Sequence, residues 1–204
     1  MLKTRIAVFV SGGGTNLQAL IDAEKKGIIK SGEISLVVSS NDKAYALERA
    51  EKAGIPGVTV RRKDFSDQAG YERELRRILD EKGIGLIVLA GFMSILSGDF
   101  TNYYEGRIIN VHPSLIPSFC GKGFYGLKVH EAALEYGVKV TGATVHYVNE
   151  VPDGGRIILQ KAVDVKDGDT PETLQKRVME EAEWKLLPEA AEMVCEKLLK
   201  EKSI

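Results

Sequence analysis

Short apolar runs alternate with amphipathic stretches through the first half of this chain of 204 residues. Apolar runs typical of strands buried on both faces cover residues 5–10, 34–40 and 85–92, and residues 58–62 are typical of a further short strand. The stretches between them repeat apolar residues at helical spacing, over residues 17–27, 44–54 and 68–83. This pattern predicts an α/β fold, a Rossmann-like and mostly parallel sheet with helices on both faces.

The second half is less regular. Residues 106–112 give another apolar run, and a helical stretch at residues 127–136 follows the long loop of residues 118–126. Residues 142–150 and 155–165 alternate around the turn Val-Pro-Asp-Gly-Gly, which predicts that antiparallel strands finish the sheet. A last helix is expected from Pro171 onward, since Thr170 can cap it and a glutamate follows early.

Composition narrows the class of protein. Hydrophobic residues make up 44% and charged residues 28%, with a net charge of −1, as in a globular protein that binds neither nucleic acid nor a membrane surface. Two cysteines are too few for a disulfide framework, and the first apolar run is too short for a signal peptide. We expect a single cytoplasmic domain, monomeric or homodimeric.

The run at residues 106–112 ends on two polar side chains, Asn110 and His112. Residues two apart on a strand point to the same face, and ligands bind at the carboxyl ends of strands in open α/β sheets. An amide beside an imidazole suits both stabilisation of an oxyanion and proton transfer. The pair could equally be a satisfied polar strand end, and spacing alone leaves both interpretations open.

A glycine-rich loop, Ser-Gly-Gly-Gly-Thr-Asn, joins the first strand to the first helix at residues 11–16. Glycine allows close approach of a ligand, and N–H groups at a helix start favour an anion. The loop lacks both the Gly-Lys-Ser/Thr ending of an ATP-binding loop and the third glycine of the dinucleotide fingerprint. A single phosphate is therefore favoured over ATP or NAD, with a plain tight turn as the alternative.

Each of the other notable polar residues has a structural interpretation as well as a functional one. Asp153 is typical of a turn but could orient and charge a histidine. We interpret His146 and His130 as core or supporting residues and Cys120 as an ordinary thiol. A zinc site formed by His112, Cys120 and His130 is disfavoured by their wide spacing. The basic run at residues 61–63 is typical of a solvated face, although it ends a strand near the expected ligand edge.

Segments along nearly the whole chain resemble segments of the folate-dependent formyltransferases and occur in the same order as in that family. They are "VSGGGTNLQALIDA", "SNDKAYALERAEKAGIP", "LAGFMSILS", "INVHPSLIPSF", "GATVHYVNEVPDGGRIILQ" and "GDTPETLQKRV". The resemblance implies transfer of the formyl group of 10-formyltetrahydrofolate to the amine of glycinamide ribonucleotide in purine (IMP) biosynthesis. It also implies a phosphate-binding half at residues 1–100 and a catalytic, folate-binding half at residues 101–204, with no metal.

The site residues follow from the same resemblance. The catalytic residues implied are Asn110, His112 and Asp153, and the ribonucleotide would contact Gly14, Thr15, Asn16 and Glu183. The folate would contact Met93, Ser94, Ile95, Leu96, Asn110, Asn149, Glu150, Val151, Pro152 and Asp153. Asn110 and a protonated His112 would donate to the oxyanion, while Asp153 keeps the imidazole charged.

Some positions depart from the family pattern. Lys128 stands where a histidine is usual, Ser94 where arginine is frequent, and Gln68 near a folate-contacting arginine of many members. The loop at residues 118–126 is long, and the helix before Glu183 has one extra residue. These departures affect substrate contacts rather than the catalytic residues.

Three rival functions remain. Formyltetrahydrofolate deformylase carries an added N-terminal domain, whereas the first strand here is expected at about residue 5. Methionyl-tRNA formyltransferase carries a C-terminal nucleic-acid-binding domain and a basic surface. A nucleotide-phosphate binding module without catalysis would be expected to lack one of the catalytic residues.

Overall fold

The computed structural model describes residues 2–201 and contains one sheet of seven strands. The strands are β1 (Thr4–Val10), β2 (Gly32–Ser39), β3 (Gly57–Thr59), β4 (Leu86–Leu89), β5 (Ile108–His112), β6 (Val140–Tyr147) and β7 (Ile157–Asp164). Their order is β3-β2-β1-β4-β5-β6-β7. All pairs from β3 to β5 are parallel, and β6 and β7 are antiparallel to their neighbours. The predicted fold class is confirmed.

Seven α-helices accompany the sheet within the described residues. They are α1 (Thr15–Lys25), α2 (Tyr45–Lys52), α3 (Gln68–Glu81), α4 (Gly98–Tyr103), α5 (Leu127–Tyr136), α6 (Pro171–Val178) and α7 (Trp184–Glu201). Helix α4 was not predicted, because six residues show little periodicity. Its signal is the cap, since the hydroxyl of Ser97 accepts a hydrogen bond from the N–H of Phe100 at 3.3 Å.

Alternation along β1 divides the core into two layers. Ile6, Val8 and Val10 pack on one face with apolar residues of α1, α2, α6 and α7. Ala7 and Phe9 pack on the other face with residues of α3 and α4. Both faces of the central strands are therefore buried, which explains their continuous apolar sequence.

Two predicted strands end earlier than expected. Strand β3 stops at Thr59, and residues Arg62–Asp64 form a short 3₁₀-helix. Strand β4 stops at Leu89, and Gly91 turns the chain with φ +73°. Glycine adopts this left-handed conformation without a steric penalty, so the chain can turn there. The strand therefore ends although the apolar sequence continues.

The C-terminal helix begins at Pro171 as predicted, but it is not continuous. Thr170 caps the helix as expected, in a reciprocal pair with Thr173, and the expected early glutamate is Glu172 in the first turn. A π-helical segment, Met179–Glu183, separates α6 from α7. A π-helical turn accommodates one extra residue within a helix, which is consistent with the extra residue noted before Glu183.

The segment after β6 folds back along the sheet. Strand register places Tyr147 opposite Ile109, near the start of β5. Asp153 nevertheless lies 3.5 Å from His112, at the far end of that strand. Residues 148–153 therefore return toward the carboxyl edge of the parallel strands. None of the helices in residues 2–201 is both long and apolar enough to cross a membrane.

Candidate active site

Asn110 and His112 lie at the carboxyl end of β5, and His112 is its last residue. Across the antiparallel pair, Asn110 is opposite His146 and His112 is opposite Thr144. Residues directly opposite each other on neighbouring strands project from the same face of a sheet. Strand β6 therefore adds His146 to the predicted pair.

Asp153 completes this group from a distant part of the chain. Its Oδ2 lies 3.5 Å from Nδ1 of His112, and its Oδ1 lies 3.6 Å from Nε2 of His146. The N–H of Gly121 donates a hydrogen bond to Oδ2 at 2.8 Å. Asp153 has φ +56°, a left-handed conformation that aspartate tolerates better than most residues. The structure thus brings Asn110, His112 and Asp153 together, which spacing alone could not show.

The second ring nitrogen of His112 faces the long loop of residues 118–126. Nε2 lies 2.8 Å from the carbonyl oxygen of Phe119, and the residue is 4% exposed. A carbonyl oxygen only accepts hydrogen bonds, so Nε2 carries a proton. The hydroxyl of Ser114 donates to the carbonyl of Ser118 and fixes the same loop. The loop is therefore part of the site.

Neighbouring groups also fix the hydrogen-bonding pattern of His146. Its Nδ1 lies 2.7 Å from the carbonyl oxygen of Tyr147, so Nδ1 carries a proton. In the neutral ring, Nε2 is then an acceptor for Nδ2 of Asn110 at 3.2 Å, whereas in the imidazolium it can donate to Asp153. This contact orients the amide of Asn110 and leaves its second N–H available to a ligand.

Burial and charge oppose each other in this group. Burial lowers the pKa of His112 and outweighs Asp153 and the Phe119 carbonyl, which raise it. Burial alone would raise the pKa of Asp153, but the two histidines and the N–H of Gly121 hold that pKa below its ordinary value. Asp153 is therefore ionised at neutral pH, and its charge favours protonation of His112.

A cleft of about 170 Å³ opens beside Asn110. Its lining comes from the segments that follow β4 and β6, together with β5 and β6, and consists of Leu89, Phe92, Ser94, Ile95, Leu96, Asn110, His146, Val148, Asn149, Glu150, Val151, Pro152 and Asp153. Every residue predicted to contact the folate lines it except Met93, whose side chain is mostly exposed. His112 is buried and is not part of this lining. An apolar cleft with a few convergent polar groups is the usual form of a small-molecule site.

The glycine-rich loop lies at the start of α1. Gly14 has φ +71°, and a Cβ there would lie 2.7 Å from the Cβ of Ala46, so α2 packs directly on the loop. Arg49 of α2 donates from Nε to the carbonyl of Gly13 at 2.8 Å. The first turn of α1 has no side-chain cap within the described residues, so its N–H groups remain available to a ligand.

Asn16 and Glu183 connect this loop to the C-terminal helices. Nδ2 of Asn16 donates to Oε2 of Glu183 at 2.7 Å, and both residues are buried. Burial raises the pKa of Glu183 to about 6, against the hydrogen bond from Asn16, which lowers it. The hydroxyl of Thr15 lies 3.9 Å from the sulfur of Met179. The predicted residues Gly14, Thr15, Asn16 and Glu183 therefore lie together, at the end of the π-helical segment.

The surroundings of His130 and Cys120 favour structural roles for both residues. His130 is fully buried, has no hydrogen-bond partner for either ring nitrogen within residues 2–201, and burial lowers its pKa to about 4. The thiol of Cys120 donates to the carbonyl of Pro117 at 3.4 Å, and burial raises its pKa. No group of three or more His, Cys, Asp or Glu side chains in that same part of the chain is placed to hold a metal ion.

Two further groups contribute to the site. His146 supports it, in agreement with the expected core or supporting role, through its contacts with Asn110 and Asp153. The register of a hairpin on β5 could have indicated this contact. The carbonyl of Phe119 carries no sequence signal, because any residue provides a carbonyl.

Comparison with known proteins shows the family of the chain. Residues 4–191 match the family model described as formyl transferase. The chain therefore belongs to the formyl transferase family.

Several relatives in this family share a name. The chain is 43% identical to phosphoribosylglycinamide formyltransferase of Escherichia coli (strain K12), over 85% of this chain and 79% of the relative. The chloroplastic enzyme of the same name from Arabidopsis thaliana is 38% identical over 97% of this chain and 68% of the relative. The crystal structure of glycinamide ribonucleotide transformylase 1 from Symbiobacterium toebii matches with a TM-score of 0.89 and 40% identity, covering 96% of this chain and 89% of that one.

A longer group of relatives is also similar. The trifunctional purine biosynthetic protein adenosine-3 of Homo sapiens is 45% identical over 95% of this chain. The chain spans only 18% of that relative's length.

Proposed function

We propose that this protein transfers the formyl group of 10-formyltetrahydrofolate to the amine of glycinamide ribonucleotide, a step of purine biosynthesis. The observation that carries the proposal is the meeting of Asn110, His112 and Asp153 beside the cleft. Membership of the formyl transferase family and the names of the relatives support it. We place the reaction in the cytoplasm, in a monomer or homodimer.

Each substrate has a candidate subsite. The pterin is flat and carries polar edges, so it fits a cleft with apolar walls at residues 89–96 and a polar segment at residues 149–153. The phosphate of the ribonucleotide binds the N–H groups at the start of α1, near Gly14, Thr15 and Asn16. Glu183 accepts hydrogen bonds from the rest of that substrate. The phosphate subsite thus belongs mainly to residues 1–100 and catalysis to residues 101–204, while the pterin cleft draws on both halves.

The reaction needs an oxyanion donor and a path for a proton. Attack of the amine nitrogen on the formyl carbon forms a C–N bond and places negative charge on the formyl oxygen. The free N–H of Asn110 donates to that oxygen. As the tetrahedral centre collapses, the bond to the folate nitrogen breaks, and the proton released by the amine passes to that nitrogen through water or His112. The proposed chemistry uses no metal.

The position of His112 adds a condition to this mechanism. Its Nε2 proton is donated to the carbonyl of Phe119, and the buried ring is not part of the cleft lining. Direct donation to the oxyanion therefore requires the loop of residues 118–126 to shift. Before that shift, His112 contributes its charge and water carries the proton; after it, His112 can also relay the proton.

The test is the release of tetrahydrofolate from 10-formyltetrahydrofolate, with and without glycinamide ribonucleotide. We expect release only when the ribonucleotide is present. Asn110→Ala should lower kcat by about 10²–10³-fold, the usual cost of losing one oxyanion donor. His112→Ala should lower kcat by a similar factor, because the imidazolium charge beside the developing oxyanion is lost. Both variants should keep the circular dichroism spectrum of the parent. Near-normal turnover in folded His112→Ala would contradict the assignment.

The remaining outcomes separate the rival functions. Release without the ribonucleotide would identify a deformylase-like hydrolase. Ribonucleotide binding without release under either condition would identify a non-catalytic module.

A further inference from the structure

The proposed pterin cleft contains negative charge and no positive charge. Glu150 and Asp153 line it, and neither a lysine nor an arginine does. A folate ends in a glutamate tail whose carboxylates are ionised at neutral pH. Such a tail cannot be stabilised by the cleft itself, so a cation that binds it has to lie outside the lining.

The basic run at residues 61–63 lies just beyond the carboxyl end of β3, at the ligand edge of the sheet. Arg61 is already neutralised there, because its guanidinium lies 2.8 Å from Asp42 and 2.7 Å from Asp64. Arg62 forms no salt bridge within residues 2–201, and both of its hydrogen bonds go to neutral oxygens. Nε donates to Oε1 of Gln68 at 2.9 Å, and an Nη donates to the carbonyl of Phe65 at 2.9 Å.

Gln68 connects Arg62 to the rim of the cleft. Its Nε2 donates to the carbonyl of Ile95 at 3.0 Å, and Ile95 belongs to the cleft lining. The side chain of Ile95 is exposed, so this rim opens to water. Glu72, the carboxylate next to Gln68, is buried and accepts hydrogen bonds from the N–H of Ser97 and from Gln68. Arg62 is therefore an orientated cation at the open rim.

We propose that Arg62 binds the carboxylates of the folate's glutamate tail and sets the preference for glutamylated folates. This inference rests on the proposed function, because it assumes that the pterin occupies the cleft. The tail leaves the cleft across Ile95, where its charge stays in contact with water. The second Nη of Arg62 is then available for a charge-assisted hydrogen bond to a carboxylate.

Two co-substrates that differ only in the tail test the proposal. One is 10-formyltetrahydrofolate, and the other is the corresponding 10-formyltetrahydropteroyl amide, which ends in a neutral carboxamide. Arg62→Ala should raise KM for the glutamylated co-substrate about tenfold, as expected for loss of one hydrogen bond to a charged group. The ratio of KM values for the amide, variant over parent, should stay near one. Arg62→Lys should restore part of the affinity.

Arg61→Ala is the matched control, since it removes the neighbouring arginine that is already paired. We expect unchanged KM values for both co-substrates in that variant. An equal rise for both co-substrates in Arg62→Ala would show that Arg62 only supports Gln68 and Ile95, and would overturn the proposal. Unchanged KM values for both would overturn it as well.

The parent protein distinguishes this failure from failure of the proposed function. If the parent transfers the formyl group from both co-substrates to glycinamide ribonucleotide, but Arg62→Ala has no selective effect, only the role of Arg62 is overturned. If the parent transfers the formyl group from neither co-substrate, the proposed function and this inference are both overturned.

Discussion

At the scale of single residues, the site places an imidazole between two hydrogen-bond acceptors. His112 faces the Asp153 carboxylate through Nδ1 and the Phe119 carbonyl through Nε2. A neutral ring can donate to only one of them, whereas the imidazolium can donate to both. Burial nonetheless lowers the pKa of His112, so the protonated ring depends on these two acceptors.

Asp153→Asn should therefore move the pH dependence of turnover. The Asp153 carboxylate raises the pKa of His112, whereas burial lowers it. Without the carboxylate, the pKa of His112 therefore falls further. Activity that needs the imidazolium is lost as pH rises through that pKa, so the descending limb of the kcat profile should move to lower pH. We expect kcat at pH 7.5 to fall about 10²-fold or more. The checks are a kcat profile from pH 5 to 9 and an NMR titration of His112. An unchanged descending limb would contradict this role for Asp153.

Glu183 should lower the stability of the fold at neutral pH. Its folded-state pKa of about 6 lies above the ordinary value of 4.5, so the native state binds more protons than the unfolded state between these values. The free energy of unfolding therefore decreases as pH rises through that window. Glu183→Gln cannot ionise and keeps an acceptor for Asn16. It should be more stable than the parent by about 1–2 kcal/mol at pH 7.5 and about equal to it at pH 4.5.

Urea unfolding of both proteins at the two pH values measures this difference. The ribonucleotide KM of Glu183→Gln should rise, because a charged acceptor is replaced by a neutral one. A stability difference that is the same at both pH values would show that ionisation of Glu183 is not its cause.

Some of these residue-level features were predictable, and others were not. Asn110 and His112 interrupt an apolar run, so the sequence alone marks them. Asp153 has the same residue type and turn context as many simple turn formers, and its contact with His112 depends on the fold-back of residues 148–153. Family resemblance, rather than spacing, singled out Asp153.

At the scale of secondary structure, α2 determines the shape of the glycine-rich loop. The N–H of Ala46 donates to the carbonyl of Gly12 at 3.1 Å, and Arg49 donates to the carbonyl of Gly13. Gly14 has no room for a side chain, since a Cβ would lie 2.7 Å from that of Ala46. The loop is therefore held by packing as well as by hydrogen bonds.

Gly14→Ala tests this packing, and Gly27→Ala is its matched control. Both positions have a left-handed φ, +71° and +69°, but no atom lies within 4 Å of a Cβ at Gly27. Gly27→Ala should lose about 1–2 kcal/mol of unfolding free energy from backbone strain alone. Gly14→Ala should lose about 2–4 kcal/mol, because the clash with Ala46 adds to that strain. Only Gly14→Ala should weaken ribonucleotide binding, measured by calorimetry. Equal losses of stability in the two variants would show that α2 can move away.

The bounds of the helices and strands also show which elements the sequence pattern predicts well and which it does not. Long periodic stretches such as α3 and α5 follow the predicted bounds closely. Strand β4 lies inside a longer apolar run, because Ala90 packs in the core beyond the end of the strand and Phe92 lines the cleft. The π-helical segment that ends at Glu183 was indicated in the sequence only by the extra residue before Glu183.

At the scale of the whole molecule, the two proposed substrate subsites lie on different parts of one sheet. The glycine-rich loop follows β1, and Asn110 and His112 end β5, with β4 between these strands. We therefore expect ribonucleotide binding and catalysis to depend on different side chains, which variants can separate.

Glycinamide ribonucleotide at 100 times its Kd should stabilise the protein by about 2.7 kcal/mol through mass action. For a chain of this size, that corresponds to a rise in Tm of about 5–10 °C. Asn110→Ala should keep this shift, since Asn110 acts on the formyl group. Asn16→Ala should reduce it strongly, because Asn16 belongs to the loop and positions Glu183. Thermal unfolding of the three proteins with and without ribonucleotide provides the measurement, and the reverse order would place the ribonucleotide elsewhere.

The buried bond between His112 and the carbonyl of Phe119 has a spectroscopic consequence. Ring N–H protons exposed to water usually exchange too fast to be seen by NMR, but this one is donated at 2.8 Å inside the protein. It should give a separate downfield resonance, coupled to a single nitrogen in ¹⁵N-histidine-labelled protein. Opening of the loop of residues 118–126 would expose that proton and broaden its signal. The active-site histidine thus reports on its own loop, without an added label.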